Sequence, residues 1–305
     1  MKSRTAFAIL FFLVFLLSGH IKSVGQQSGQ CIAVITGISG NVVVNNDNKT
    51  KVKACWGTQL FQGDQLITSA NSEATLTFSS NTLVKLGSNS MITISGNEVS
   101  TASTSGNVRK ISSATMINFS ALTLKRDNKK ETGALAGLRS DNTEKAIQLT
   151  SPYNTVLKTT RPSFSWTAKE SFDKYVVNLY SSKGLVWSKK VSGNTINYPE
   201  PEKELEYGES YFWNVEGEAL IDNEKSDSHK FSVLSGEKSK EVASQETEIK
   251  NTLRDEPETS TLHSVLGSYY INQGLLQDAI EEFLIISKIN ADAPLPHEIL
   301  GSLYS

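Results

Sequence analysis

Cysteine and histidine are scarce: the 305-residue chain has two of the first and four of the second. Cys31 and Cys55 leave two options. In an oxidising compartment they pair, closing a loop that adds about 3 kcal/mol, or they remain two buried thiols. Of the histidines, His20 sits in an N-terminal apolar region, His229 stands alone, and His263 and His297 are 34 residues apart. Zinc takes three or four ligands, and no Cys or acidic residue is spaced to complete a set, so no metal is expected. Charge of one sign is also lacking. A net charge of -2 and a pI of about 6.1 supply no basic field for nucleic acid. No H-E-x-x-H, G-x-S-x-G or phosphate-loop pattern occurs. Gly37-Ile-Ser39-Gly40 reads as a turn, Asp64 after Gly63 as a turn residue bonding its own backbone, and Glu281 and Glu282 as a solvated helix face. No enzyme activity and no cofactor are expected.

Long apolar runs are missing except at the start. Lys2 and Arg4 precede an apolar run from Ala6 to Leu17, and small residues follow at Ser23-Val24-Gly25. That is the pattern of a secretory signal over 1–25, cleaved before Gln26; the run is short for a membrane span. An uncleaved anchor is the alternative. Ser28-Gly29-Gln30 before Cys31 does not match a lipoprotein site. The expected location is periplasmic or secreted, with no stable membrane span after cleavage and no nucleic-acid partner.

From 30 to 124 the pattern is of short strands. Ala74, Leu76 and Phe78 alternate with Thr75, Thr77 and Ser79; Val84 and Leu86 flank Lys85; Ile92 and Ile94 keep the period. Turn clusters fall at Asn71-Ser72, Ser80-Asn81 and Gly87-Ser88-Asn89. A sandwich, barrel or stacked β-coil follows, with 96–113 read as a loose loop. Gly40-Asn-Val42, then Gly63-Asp64-Gln-Leu66-Ile-Thr68, then Ala74-Thr-Leu76-Thr-Phe78, then Val84-Lys-Leu86-Gly-Ser-Asn-Ser90 together resemble the FecR domain. Ser80-Asn81 stands where that family usually has Asp-Gly, which keeps turn chemistry. Gly133 to Arg139 is similar to a short segment that follows the domain in that family, and 125–146 is read as a linker.

Residues 147–235 carry about seven short strands with inward aromatics, the pattern of an immunoglobulin-like sandwich. Arg161-Pro-Ser-Phe164-Ser-Trp166 and Tyr211-Phe-Trp213-Asn-Val215 resemble a fibronectin type III domain. Trp166, Trp213 and Tyr211 are read as core, against a carbohydrate-stacking alternative.

Residues 236–258, rich in Glu, Lys, Ser and Thr, are read as a charged linker or a charged helix. Beyond them His263-Ser-Val-Leu266-Gly267-Ser-Tyr-Tyr270 echoes in His297-Glu-Ile-Leu300-Gly301-Ser-Leu-Tyr304. With Ala279 and Phe283, the spacing resembles the tetratricopeptide repeat, one and a half copies over 259–305. Gly274 marks the turn, Asp292 is a candidate cap and Pro294 a helix start. One and a half repeats do not bury their own apolar face. They must lean on the sandwich, on a second copy (a homo-oligomer through the repeat helices) or on another protein. Ser264, Ser268 and Asn272 are the candidate partner-binding residues, lining the concave side of the repeat.

The expected fold is therefore multidomain and mainly β: a FecR-like β-domain and an Ig-like sandwich with a short α-helical tetratricopeptide C-terminus. The expected function is non-catalytic binding or scaffolding in the bacterial cell envelope, through protein partners or a cell-wall polymer. A FecR-type signalling regulator and a carbohydrate- or peptidoglycan-binding protein are the alternatives.

Overall fold

The computed structural model describes residues 29–46, 50–96, 104–113, 117–123, 145–219, 223–254 and 259–304. The 1–25 signal and almost all of the 125–146 linker, with Gly133–Arg139, lie outside these residues. The described chain is mainly β, with several antiparallel sheets followed by four helices.

The N-terminal unit contains β1 (Ala33–Ser39), β2 (Val42–Asn45), β3 (Lys51–Lys53), β4 (Gln59–Leu60), β5 (Gln65–Thr68), β6 (Glu73–Phe78), β7 (Thr82–Leu86), β8 (Met91–Thr93), β9 (Thr104–Ser105) and β10 (Val108–Ser113). They form two five-stranded sheets, ordered β10-β7-β6-β1-β4 and β3-β2-β5-β8-β9. Ile35, Leu60, Leu66, Leu76, Phe78, Leu86 and Ile92 fill the space between. The turns sit where the short polar clusters were read. Asn71, Asn81 and Asn89 take φ values of 54, 62 and 52°, a region Asn tolerates better than other side chains with a Cβ. The loose loop read over 96–113 is corrected in part: β9 pairs with β8, and β10 pairs with β7 across Val108–Ser113.

Strand β6 departs from simple alternation. Thr75 and Thr77 are buried as deeply as Ala74, Leu76 and Phe78. Thr77 and Thr36 share a hydrogen bond of 3.0 Å between hydroxyls. The second face of this sheet is covered, and the cover is helical.

The second unit contains β11 (Ile147–Ser151), β12 (Thr155–Leu157), β13 (Ser163–Ala168), β14 (Lys174–Ser181), β15 (Gly184–Val191), β16 (Thr195–Asn197), β17 (Ser210–Glu218), β18 (Glu224–Lys225) and β19 (His229–Val233). It is a β-sandwich. A three-stranded sheet, β11-β13-β16, faces a six-stranded one, β12-β19-β17-β14-β15, with β18 on β17. All pairings are antiparallel except β12 with β19. Phe164 lies 5.0 Å from Trp213 between ring centroids, and Tyr211 stacks on Phe231 at 5.6 Å. Trp166, Trp213 and Tyr211 are all buried and belong to the core of the sandwich.

The helices are α1 (Gly236–Thr252), α2 (Ser260–Gln273), α3 (Leu276–Ile289) and α4 (Pro294–Leu303). Helix α1 occupies most of the stretch read as a charged linker or a charged helix, and takes the second form. Ser235 caps it, accepting from the Lys238 backbone N–H at 3.2 Å. Val242, Ile249 and Leu253 give it a thin apolar stripe that packs into the helical core, so it is an integral element. Helix α2 ends at Gly274, with φ 73°, and Pro294 opens α4 at its first turn. The cap expected from Asp292 does not form: Ala293 holds the cap position, without a side-chain bond. Between α2 and α3, a Cβ on Gly267 would lie 2.9 Å from the Phe283 ring. That glycine is what lets the two helices close on each other.

Candidate functional site

Every residue of α2 from Ser260 to Tyr270 is buried. A helix wrapped on all sides is a core helix, not one wall of an open groove. Against the N-terminal unit, the Trp56 indole N–H donates to the Thr36 carbonyl at 3.0 Å and to Ser264 Oγ at 3.1 Å. A Cβ on Gly37 would collide with Thr261 Oγ1, and one on Gly57, at φ 81°, would lie 2.7 Å from the Leu295 side chain. The Trp56 ring meets Phe283 edge-on at 6.5 Å. Leu83, Ile117 and Leu122 join the same core from the β side.

These contacts relocate the candidate binding residues. Ser264 and Ser268 are buried, and Asn272 is exposed. The three do not form a shared surface. Ser264 Oγ donates to the Ser260 carbonyl, and Ser268 Oγ to the Val265 carbonyl at 3.0 Å. Their hydroxyls therefore enter the interior with their donors satisfied. The face expected to be concave and open is filled by the chain's own β-unit.

Lys158 is the charged centre of the contact between the sandwich and the helices. Lys158, just after β12, places Nζ 2.8 Å from Glu246 of α1, 2.9 Å from Asp278 of α3 and 3.1 Å from Tyr270 Oη of α2. The ammonium also lies 4.5 Å from the centre of the Tyr270 ring. Burial favours the neutral amine, but the bonds to Glu246 and Asp278 outweigh it and hold the Lys158 pKa above its usual value. Burial pushes the Asp278 carboxyl up, with Lys158 offsetting part of the rise, and burial also raises the Tyr270 phenol. Ser151 donates to Gln277 at 3.2 Å, and Val156 packs on the helical core. Sequence reasoning singled out neither Trp56 nor Lys158.

Elsewhere the expected sites fall apart or change partner. His263 Nδ1 lies 2.6 Å from a carboxylate oxygen of Glu282, which is thus an ion-pair or hydrogen-bond partner, not part of a solvated face. Glu281 and His297 are exposed. Among the described residues no group of three or more His, Cys, Asp or Glu could hold a metal. Asp64 accepts the Phe61 backbone N–H at 2.9 Å, as a turn residue would.

Cys31 and Cys55 are free thiols. Ile32, next to Cys31, bonds Leu60, whereas Gly57, near Cys55, bonds Ile35. Three residues of strand, about 10 Å at about 3.3 Å each, separate those levels, and a disulfide needs Cα atoms within about 7 Å. The pairing option is thereby corrected. Burial pushes the Cys31 thiol up to about 11. At pH 8 the native protein is expected to alkylate at Cys31 far more slowly than in urea, as mass spectrometry of iodoacetamide-treated samples would read; equal rates would contradict it.

A shallow cleft of about 250 Å³ opens where the β14–β15 turn faces the loop before β17, lined by Lys183, Val186, Tyr198, Glu202, Lys203 and Tyr211 among others. Both tyrosine hydroxyls are engaged. Tyr198 donates to the Lys203 carbonyl at 2.9 Å, and Tyr211 accepts the Glu206 backbone N–H at 2.8 Å.

No protein-family model and no curated protein matches the chain. Solved structures do. The chain is similar to a structure described as a cell surface anchoring domain, at 27% identity over 22% of this chain and 88% of that one, TM-score 0.21. It is also similar to an alpha-L-rhamnosidase from Dictyoglumus thermophilum, at 29% identity over 30% of this chain and 12% of that one, TM-score 0.25. A two-domain fibronectin type III segment of chicken tenascin matches at 11% identity over 67% and 93%, TM-score 0.20. At these TM-scores none bears on what the chain does. No helix among the described residues is long and apolar enough to cross a membrane.

Half-buried next to Tyr153, at 4.3 Å between rings, His229 has its pKa lowered by desolvation, with Asp227 opposing. The folded state therefore favours neutral imidazole, while the unfolded chain takes its proton near pH 6.5. With a folded pKa below the unfolded one, this stability is complete above about pH 6.5 and is lost on acidification through the folded pKa. Thermal melts at pH 7.5 and 5.5 are expected to differ less in His229→Gln than in the parent; an identical pH dependence would refute the assignment.

Proposed function

We propose that this is a non-catalytic binding or scaffold protein of the bacterial cell envelope, delivered by the signal over 1–25. On this reading 30–124 is a FecR-like domain, 147–235 an immunoglobulin- or fibronectin-like sandwich, and 259–305 a tetratricopeptide-like segment turned inward. The observation that carries the reading is α2, buried on all sides between Trp56 of the first unit and the helices that Lys158 ties to the second. Such a helix braces two β-units and leaves their outer surfaces as the places of contact. The Tyr211 hydroxyl bonding back to Glu206 supports the immunoglobulin-like reading, since that corner recurs in such sandwiches. Capture of the full chain's partners from an envelope extract, after cross-linking, tests the proposal. Specific envelope proteins are expected, and recovery no different from an unrelated bait would remove it.

A further inference from the structure

The larger sheet of the sandwich ends in a strand with one neighbour. Among the described residues β15 pairs with β14 alone, and it runs for eight residues at the sheet's edge. An edge of that length offers a row of backbone donors and acceptors to a further strand. Two of its apolar side chains, Leu185 and Val186, are exposed, while Trp187 is buried in the core. The register shifts between Leu179, opposite Trp187, and Tyr180, opposite Leu185, so Val186 is an extra residue. Leu185 is 60% exposed and Val186 40%.

The charge along this edge has one sign. From Ser181 to Tyr198 the sequence holds Lys183, Lys189 and Lys190 and no Asp or Glu. Lys183 is mostly in water, 4.0 Å from Glu206, and Lys190 pairs with Glu218 on β17. Lys189 makes no ion pair among the described residues and is exposed. Two copies meeting edge to edge would set lysines against lysines, which is destabilising. A strand carrying carboxylates meets the opposite field.

We propose that β15 is a docking edge for an extended acidic segment of another polypeptide, which adds to the sheet as a further strand. Main-chain bonds hold the segment, Leu185 and Val186 give it apolar contact, and the three lysines select its charge. The inference rests on the reading that this protein works by contact, and it names one surface where contact occurs.

The test uses the full chain and two fluorescein-labelled peptides, one alternating Val and Glu, the other Val and Lys. The acidic peptide is expected to bind by anisotropy, to weaken as salt rises, and to slow amide hydrogen exchange within 184–191. Charge reversal at all three lysines (K183E, K189E, K190E) is expected to weaken the acidic peptide at least about tenfold and to favour the lysine peptide. Equal binding of the two peptides, protection elsewhere than 184–191, or an unchanged affinity in the triple variant would each overturn the proposal. If the variant does not fold by circular dichroism, salt dependence and exchange protection in the parent decide. If envelope partners are captured but the acidic peptide does not bind, this inference alone falls; if neither is seen, both do.

Discussion

Trp56→Ala is expected to lower the free energy of unfolding by about 4 kcal/mol, the range for emptying a fully buried large side chain. The indole is 1% exposed and belongs to the core shared by the N-terminal unit and the helices. Its removal leaves a cavity against Phe283 and strips Ser264 and the Thr36 carbonyl of their shared donor. Trp56→Phe keeps most of the ring volume and loses the N–H, so a smaller loss, about 1–2 kcal/mol, is expected. Urea titration of both variants reads the two numbers. A loss under about 1 kcal/mol for Trp56→Ala would mean that the helices do not brace the first unit.

Lys158→Ala is expected to cost about 2 kcal/mol at neutral pH, because it leaves two half-buried carboxylates facing each other without a cation. The lysine side chain is 35% exposed, which holds the figure below that of a fully buried pair. The sign of the pH dependence follows from Asp278, whose folded pKa is raised by burial. The unfolded carboxyl titrates near pH 3.9. Ionising Asp278 in the folded state therefore removes stability as pH rises through its titration, and Lys158 offsets that loss. The difference between variant and parent should shrink at acid pH, as Asp278 takes up its proton, and grow toward pH 7. Melting curves across that range check it; a difference that is flat with pH would mean that packing of the lysine stem, not its charge, holds the contact.

Much of the β architecture was legible because it rests on local chemistry. Asn71, Asn81 and Asn89 mark turns that need positive φ, and Gly274 and Pro294 mark helix ends for equally local reasons. The inward aromatics of the sandwich announce themselves by alternation. What was not legible depends on polar residues that are buried. Periodicity reads Ser264 and Ser268 as solvent-facing, yet a serine whose hydroxyl donates to its own helix backbone enters a core at little cost. Thr75 and Thr77 mislead in the same way on β6. That α1 is a packed helix and not a linker stays open in the sequence, because Val242, Ile249 and Leu253 are too few to outweigh the charge around them. Trp56 sits between strands, outside any period, and its meaning appears only when residues 208 positions apart meet.

That separation has a consequence for how the protein is made. The first unit is synthesised well before the helix that covers its Trp56 face, whose Ser264 lies 208 positions further along the chain. Until then a sheet face with an indole at its rim is bare, and contacts this remote in sequence close slowly. A holding chaperone therefore has its clearest target on the half that is already formed.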